Sequence, residues 1–360
     1  MCKVSVVIPA YEPDVRLLEL LKALDLNKIG PVYVINDGSD SSYDSIFESA
    51  SEIIEKSGGK LLVHEKNQGK GRALKTAFSY ILENDKETAG VVTADSDGQH
   101  TPECISKVID ALKKNTESLV LGVRCFDLDE VPWKSRFGNK MTEKTFKYIT
   151  GVHITDTQTG LRGIPKAYMK ELIDLKGERF EFEMRMLIDA AEKMKIIEVP
   201  IETVYDSVDN HQTHFNPFKD SVRIYRILGW KFMKYIISSL SSSLLDIILF
   251  SIFCALLKVK YPVVYVTAAT VIARVISATY NYLINYKLVF NSKENIGFSA
   301  LKYFILAVVQ MAFSAILVTL LVKALPYNLE ILYKIIVDTV LFFASYYIQQ
   351  QVVFKKDKNR

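Results

Sequence analysis

Four long apolar runs in the last third of this 360-residue chain constrain its fold more than any other feature. They cover roughly residues 235–257, 263–284, 303–322 and 331–354. Each run is close to the roughly 20 residues that an α-helix needs to cross a bilayer. We therefore expect residues 233–360 to form an all-α domain of four transmembrane helices.

The charges around these runs predict how the chain crosses the membrane. Two short linkers, Lys258–Pro262 and Lys323–Glu330, fall on one side. The flanking basic residues of the other side are Lys231, Lys234, Lys287, Lys293, Lys302 and the KKDKNR tail. By the positive-inside rule, both termini and the N-terminal domain lie in the cytosol. No signal peptide precedes the first predicted strand, which agrees with this orientation for a multi-pass protein of the cell membrane.

The apolar half contains an internal repeat. KYII (234–237) recurs as KYFI (302–305), and YLINYKLVF (282–290) recurs as YYIQQQVVF (346–354). This pattern predicts two duplicated helical hairpins related by an axis along the membrane normal. An oligomer formed through this domain stays open.

Three charged residues, Asp246, Arg274 and Asp338, lie inside the apolar runs. An unpaired charge at such a depth costs at least about 2.5–3.5 kcal/mol. We therefore expect these side chains to face the bundle interior, with Asp246 pairing with Arg274 and Asp338 as the competing partner. A purely structural pair and a path for a lipid head group both fit this pattern.

The first 215 residues alternate apolar strands with amphipathic helices. The predicted strands are Val4–Ile8, Val32–Ile35, Lys60–His64, Val91–Ala94 and Ser118–Arg124. This alternation is typical of a mostly parallel sheet covered by helices. The four cysteines are scattered, which argues against a disulfide framework or a zinc site and favours a reducing compartment. Residues 216–232 follow as a basic amphipathic linker at the membrane interface, and the net charge of +4 is too small to predict nucleic-acid binding.

The stretch VVTADSDGQH carries two carboxylates, Asp95 and Asp97, directly after a buried strand. Residues one apart on an extended backbone point to the same side, and open α/β sheets bind ligands at the carboxyl ends of their strands. Hard divalent cations prefer oxygen ligands and keep substrate phosphates in their shell. The pattern predicts a metal–diphosphate site, although a solvated acidic turn also fits these residues alone.

Five segments, read together, carry a family resemblance. VVIPAYE, VINDGSD, NQGKGRALKTAF, ADSDGQHTPE and DTQTGLRGIP occur in this order and resemble glycosyltransferase family 2, in particular its polyprenyl- and dolichyl-phosphate sugar synthases. Residues 231–354 resemble the GtrA-like four-helix membrane proteins. The resemblance implies an α/β GT-A domain, Rossmann-like with a mostly parallel sheet, over residues 1–215, followed by the all-α four-helix transmembrane domain.

The resemblance also implies the donor site. Pro9, Tyr11, Glu12 and Asp37 correspond to residues that line the nucleotide, and Asp95, Asp97 and Gln99 correspond to ligands of Mg²⁺ or Mn²⁺. Lys70, beside two glycines, can approach a diphosphate, or it is only a basic helix start on the surface. A carboxylate such as Asp37 accepts equally well from uracil or guanine, so the donor is a UDP- or a GDP-sugar.

On the acceptor side, Asp156 and Arg162 match a D-x-x-[ST]-G-x-[RK] stretch of the family. Glu181 and Glu183 lie where relatives carry an acidic residue that faces the sugar, and His214 is expected on a loop that closes over the donor. Arg124 and Arg136 match arginines that hold an acceptor phosphate through their planar donor forks. A lipid phosphate is already ionised near neutral pH, so it needs cations more than a base.

These features predict a membrane-bound inverting glycosyltransferase that moves one sugar from a nucleotide-diphosphate sugar to polyprenyl phosphate at the cytosolic face. The product would serve cell-envelope glycan synthesis or protein glycosylation, and the membrane domain would flip, present or only anchor. One alternative is a processive polysaccharide synthase, which is disfavoured because the chain has no Q-x-x-R-W motif. Another is a lipid-linked sugar transporter with a non-catalytic transferase-like domain.

Overall fold

The structure of this chain is a computed structural model. It describes residues 3–26, 29–124, 133–202, 217–325 and 329–354, with the side chains of 133–137 and 217–225 excepted. The chain divides into two compact units, Met1–Ile227 and Leu228–Arg360.

The first unit is built on a seven-stranded sheet, as far as the described residues show. Its strands are β1 (Lys3–Ala10), β2 (Val32–Asn36), β3 (Lys60–Val63), β4 (Thr88–Thr93), β5 (Leu119–Arg124), β6 (Arg162–Pro165) and β7 (Ile196–Ile201). The strand order is β3-β2-β1-β4-β6-β5-β7. All neighbouring pairs are parallel except the two that involve β6, which runs antiparallel to β4 and β5. The predicted mostly parallel α/β sheet is confirmed, while the reversed β6 was not predicted.

Helices cover both faces of this sheet. They are α1 (Val15–Ala23), α2 (Asp44–Glu55), α3 (Lys70–Asn84), α4 (Pro102–Lys114), α5 (Trp133–Thr150), α6 (Lys166–Ile173) and α7 (Glu181–Lys193). Alternate β1 residues Val4, Val6 and Ile8 join the buried core formed with α1, α2 and α4. Successive strand residues point to opposite faces, and α3 and α6 pack on the other side. The predicted apolar runs are therefore buried twice over.

A close contact between α3 and the start of α7 shapes the edge of the sheet where the strands end. Gly71 of α3 lies so near α7 that an added Cβ would stand 2.6 Å from Phe182 Cβ and 2.9 Å from the Glu178 carbonyl carbon. The backbone N–H of Arg72 donates to the Glu178 carbonyl oxygen at 3.0 Å. Only glycine permits this approach, because any side chain would separate the two segments.

The second unit is helical, as expected, with α8 (Pro217–Lys258) leading into it, then α9 (Tyr265–Ile284), α10 (Ile296–Ala324) and α11 (Glu330–Ile348). Within the described residues, three segments are long and apolar enough to span a membrane: Arg226–Lys258, Ile296–Ala324 and Glu330–Val353. The fourth expected span, 263–284, is helical as α9 but falls short in apolarity, since it carries polar residues such as Arg274 and Asn281. This chain is a membrane protein.

The internal repeat appears as a structural repeat. Both α9 and α11 end in a π-helical turn, Asn285–Val289 and Gln349–Val353, and these turns occupy corresponding places in the two repeats. Asn285 Nδ2 donates to Gln349 Oε1 at 3.1 Å, so the two turns touch each other in the buried interior. The sequence duplication therefore places two amide side chains opposite each other.

The intramembrane charges are paired, but they do not all face the interior. Arg274 Nη2 lies 3.3 Å from Asp246 Oδ2, which is the expected pair, while Asp338 Oδ2 lies 2.9 Å from Lys334 Nζ. The side chains of Arg274 and Asp338 are 71% and 48% exposed, and only that of Asp246 is largely covered at 20%. The expectation that all three face inward is wrong for Arg274 and Asp338. Each instead finds an opposite charge along the helix surface, which lowers the cost of its position.

The contact at Gly71 predicts that Gly71→Ala destabilises the first unit. The new methyl group would overlap Phe182 and force α3 away from α7, and overpacking of this kind costs about 1–3 kcal/mol. We expect a lower thermal midpoint for the purified full-length chain, measured by differential scanning fluorimetry. Gly138→Ala in α5 is the matched control, because nothing lies within 4 Å of its added Cβ. Equal midpoints for the two variants would contradict the packing described.

Candidate functional site

A pocket of about 670 Å³ opens in the first unit where β1, β2, β4 and β5 end. Ten of the residues singled out in the sequence line it: Pro9, Tyr11, Glu12, Asp37, Lys70, Asp95, Asp97, Gln99, Arg124 and Arg162. The predicted nucleotide and metal residues therefore meet in one place. Glu12 adopts a left-handed backbone with φ of 49°, a strained geometry that clusters at functional sites in proteins.

Asp37, at the end of β2, is the anchor for the turn that precedes α3. Its carboxylate accepts hydrogen bonds from the backbone N–H groups of Gln68 at 3.0 Å and Gly69 at 2.7 Å, and it contacts His64 Nδ1 at 2.7 Å. The Nε2 atom of His64 reaches Thr76 Oγ1 of α3 at 2.9 Å. Asp37 is only 3% exposed. The carboxylate thus holds the protein's own backbone, and its contact with a nucleotide base stays a prediction.

Lys70, the first residue of α3, joins two acidic residues across the pocket. Its Nζ lies 2.6 Å from Asp95 Oδ1 and 3.0 Å from Glu183 Oε1. Burial lowers the pKa of Lys70, but the two carboxylates outweigh burial and raise it above its usual value. Lys70 is therefore a fixed positive charge beside the first acidic residue of the ADSDGQH stretch.

The two carboxylates of this stretch differ in their electrostatic environment. Burial raises the pKa of Asp95, but Lys70 and then His100 outweigh it, so that the pKa falls to about 2. Burial, followed by repulsion from Asp95, raises the pKa of Asp97 above its usual value. The Asp97 side chain also accepts a hydrogen bond from the backbone N–H of Gln99 at 3.1 Å. An added cation at Asp97 would relieve the repulsion between these two groups.

Gly160 presses the turn before β6 against the end of β4. A Cβ at this position would overlap the Asp95 carboxylate. The Thr93 hydroxyl donates to the Gly160 carbonyl oxygen at 2.7 Å, which fixes the same contact from the strand. The reversed β6 thus brings a distant stretch of sequence onto the Asp95 carboxylate.

Arg124, at the end of β5, is held by Asp156 through a two-point ion pair. Its Nε and Nη2 donate to the two carboxylate oxygens of Asp156 at 2.7 and 3.1 Å. Asp156 is fully buried and does not line the pocket, whereas Arg124 does. Asp156 therefore positions Arg124, and a direct contact of Asp156 with acceptor or sugar stays a prediction without support from this geometry.

Of the two acidic residues considered in α7, Glu183 lines the pocket and Glu181 does not. A Glu181 oxygen instead accepts from the backbone N–H of Glu178 at 3.3 Å, at the start of its own helix. Arg162 is buried beside Glu183 and donates to the Glu183 carbonyl oxygen at 2.7 Å. His214 and the Arg136 side chain lie outside the described residues, so their predicted roles stay predictions.

Three further residues line the pocket that the sequence did not single out: Arg16, Asn67 and Arg179. Arg16 packs over Gly98 and forms an ion pair with Asp14, the residue that caps α1. Asn67 directly precedes the Gly-rich turn, so its place in that motif was a usable signal. Arg179 reaches the pocket because α7 packs on Gly69 and Gly71, a tertiary contact with no local signature.

Comparisons with known proteins agree with this division of the chain. Residues 5–173 match the family model "Glycosyl transferase family 2", and residues 234–354 match "GtrA/DPMS, transmembrane domain". A UDP-N-acetylglucosamine–dolichyl-phosphate N-acetylglucosaminyltransferase of Methanococcus voltae is 30% identical over 217 residues, which cover 56% of this chain and 86% of that protein. A dolichol-phosphate mannosyltransferase of Pyrococcus furiosus is 29% identical over 262 residues, covering 68% of this chain and 70% of the relative.

Among solved structures, the chain is similar to a mannosyltransferase of Pyrobaculum calidifontis in complex with GDP-Man and Mn²⁺. The TM-score is 0.40 at 15% identity, and the match covers 98% of this chain and 88% of that one.

The contacts of Asp37 predict that Asp37→Asn destabilises the protein even without a ligand. An amide cannot accept from His64 and two backbone N–H groups as a carboxylate does, and a buried group left unpaired costs about 1–3 kcal/mol. We expect a lower thermal midpoint for the ligand-free full-length chain. Asp40→Asn is the control, since the exposed Asp40 side chain only caps a short 3₁₀ helix, a role that Asn fills equally well. An unchanged midpoint for Asp37→Asn, with weaker nucleotide binding, would show that Asp37 serves the ligand alone.

Proposed function

This chain belongs to glycosyltransferase family 2 and carries a GtrA/DPMS-type transmembrane domain, and from this premise we propose that it transfers one sugar from a nucleotide-diphosphate sugar to polyprenyl phosphate. The observation that carries the proposal is the pocket in which Asp95, Asp97 and Gln99 meet Lys70 and Arg124. Acidic and basic groups in one cleft suit a substrate that brings a cation together with phosphates.

The residues present fit Mg²⁺ or Mn²⁺ by their chemistry. Asp95, Asp97 and Gln99 offer only oxygen ligands, the kind that hard cations prefer. Among the described residues no cluster of three or more His, Cys, Asp or Glu side chains has a metal-binding arrangement. The remaining ligands of a cation here would therefore come from the substrate diphosphate and water. When bound, such a cation offsets the charge on the leaving diphosphate.

The chain's own cations have separate tasks in this proposal. Lys70, fixed between Asp95 and Glu183, adds positive charge on the diphosphate side of the pocket. Arg124 is held in a rigid orientation by Asp156, and a guanidinium fork of this kind suits an incoming phosphate. Arg136 is proposed as the second phosphate contact on the strength of its sequence position.

A general base is not required for the proposed acceptor. A phosphate monoester has a second pKa of about 6 and is therefore mostly ionised at neutral pH. Its oxygen can attack the anomeric carbon from the side opposite the nucleotide, which gives inversion. Glu183, the acidic residue in the pocket, is already in an ion pair with Lys70, which agrees with a role other than proton removal.

The membrane domain supports a lipid acceptor. We place the transferase unit and both termini in the cytosol, because the basic residues flank the apolar helices on that side. Flipping of the lipid-linked sugar by residues 234–354, and assembly of several copies through them, are extensions of the same proposal. Its products would supply cell-envelope glycan synthesis or protein glycosylation.

Radiolabelled transfer tests the proposed function directly. The full-length protein in detergent, given a panel of UDP- and GDP-sugars, Mg²⁺ and polyprenyl phosphate, should move label into an organic-soluble lipid. Asp97→Asn should lower the rate at least about 100-fold, since losing a group that stabilises developing charge costs about 2.7–4 kcal/mol. Asp110→Asn, at an exposed position in α4, serves as the control. Label in water-soluble polymer, or full activity in Asp97→Asn, would refute the proposed mechanism.

Gly160→Ala tests the cation site without changing any proposed ligand. The new methyl group would displace the Asp95 carboxylate, so the affinity for Mn²⁺ should fall at least about tenfold, which corresponds to about 1.4 kcal/mol. Electron paramagnetic resonance of free Mn²⁺ measures this in the absence of substrate. Gly229→Ala, whose added Cβ meets nothing within 4 Å, should bind Mn²⁺ like the unchanged protein. Wild-type affinity in Gly160→Ala would remove Asp95 from the ligand set.

A further inference from the structure

The turn before β6 contributes two buried polar residues, Thr157 and Arg162, to the wall of the pocket. Both are 1% exposed. The turn is rigidly held: the Thr159 hydroxyl donates to the Gly122 carbonyl oxygen of β5 at 2.6 Å, and Gly160 packs on Asp95. Thr157 and Arg162 therefore keep their places without needing contacts of their own side-chain ends.

Each of these residues has a polar atom that the protein leaves unsatisfied. Thr157 Oγ1 and Arg162 Nη2 are buried and have no hydrogen-bond partner within the part of the chain that the structure describes. The other guanidinium nitrogens of Arg162 are used, because Nε donates to the Thr159 carbonyl oxygen at 2.9 Å and Nη1 to that of Glu183 at 2.7 Å. Buried polar groups are normally paired, so two exceptions in one pocket wall point to a ligand that pairs them.

The chemistry of the neighbours defines that ligand. Arg162 Nη2 requires a hydrogen-bond acceptor, whereas the Thr157 hydroxyl can donate or accept. Glu183, which lines the same pocket at 7% exposure, offers a carboxylate that accepts only. A phosphate would satisfy Arg162 but would be repelled by Glu183 and by Asp95. A neutral group with several hydroxyls satisfies every requirement, since each hydroxyl both donates and accepts.

We infer that Thr157 and Arg162 form a subsite for the sugar ring of the nucleotide-sugar donor, with hydroxyl oxygens of the ring accepting from Arg162 Nη2 and pairing with Thr157 Oγ1. This inference rests on the proposed function and narrows it. It assigns the DTQTGLR stretch to the donor sugar, and it leaves the acceptor phosphate to Arg124. Because the protein's own hydrogen bonds fix both side chains, the subsite selects sugars by the positions of their hydroxyl groups.

Thr157→Val tests the subsite with little risk to folding. Valine keeps the shape of threonine, and the hydroxyl it removes has no partner to lose, so the thermal midpoint should stay equal or rise. Thr159→Val is the matched control. Thr159 is the same residue type at the same 1% exposure, yet its hydroxyl donates to Gly122 and accepts from the Leu161 N–H, and it lies outside the pocket lining. This control should lower the midpoint and leave sugar recognition intact.

The measured quantity is the ratio of two dissociation constants, for the nucleotide alone and for the nucleotide sugar, by calorimetry on the full-length protein with Mg²⁺. The ligands are UDP and GDP against UDP-glucose, UDP-N-acetylglucosamine and GDP-mannose. In Thr157→Val the advantage of the preferred sugar nucleotide should shrink about 3- to 10-fold, with unchanged affinity for the nucleotide alone. Arg162→Lys, which keeps the charge but loses the fork, should shrink it about 10- to 100-fold.

Several outcomes would overturn the subsite. A wild-type ratio in Thr157→Val would do so, as would an equal loss of affinity for nucleotide and nucleotide sugar, since the hydroxyl would then act on the nucleotide or the metal. If the unchanged protein transfers sugar but binds no sugar nucleotide better than the nucleotide alone, the subsite is wrong while the function stands. If it binds none of the five ligands and transfers no sugar, both proposals fail together.

Discussion

The ammonium group of Lys70 is the contact on which the arrangement of the pocket depends. It lies within 3.0 Å of Asp95, at the end of β4, and of Glu183 in α7, and so neutralises two acidic groups that would otherwise repel. Its own position is set by the Asp37 carboxylate, which holds the turn before α3. A strand end, a helix start and a second helix are thus connected through charges, and each charge is satisfied by a residue far away in the sequence.

Much of the fold and part of the site followed from local sequence patterns. Asp37, Asp95 and Arg124 were identifiable because each closes or follows an apolar strand, and strand ends in an α/β sheet meet at one edge. The choice between Glu181 and Glu183 was not available, because the facing of α7 is decided by its contact with Gly71. The functional difference between Thr157 and Thr159 is likewise tertiary, since only the structure shows which hydroxyl has a partner.

The membrane half shows the same division between pattern and packing. The repeated segments predicted two similar hairpins, and the structure has corresponding π-helical turns in both. The repeat did not predict that Arg274 and Asp338 would be exposed, because a helix in lipid can present a charge outward when a neighbour of opposite sign lies beside it. Asp246, next to Arg274, and Lys334, one turn from Asp338, supply that neighbour.

The reversed strand β6 also bears on how the chain is made. It lies between β4 and β5 in the sheet but follows both in sequence, after α5. While the ribosome is still producing α5, these two strands have no partner between them and expose their hydrogen-bonding edges. The nascent sheet can close only when residues near 165 emerge, which gives the early intermediate a period of vulnerability to aggregation or to chaperone capture. The turn that completes the pocket is therefore also the segment that ends this period.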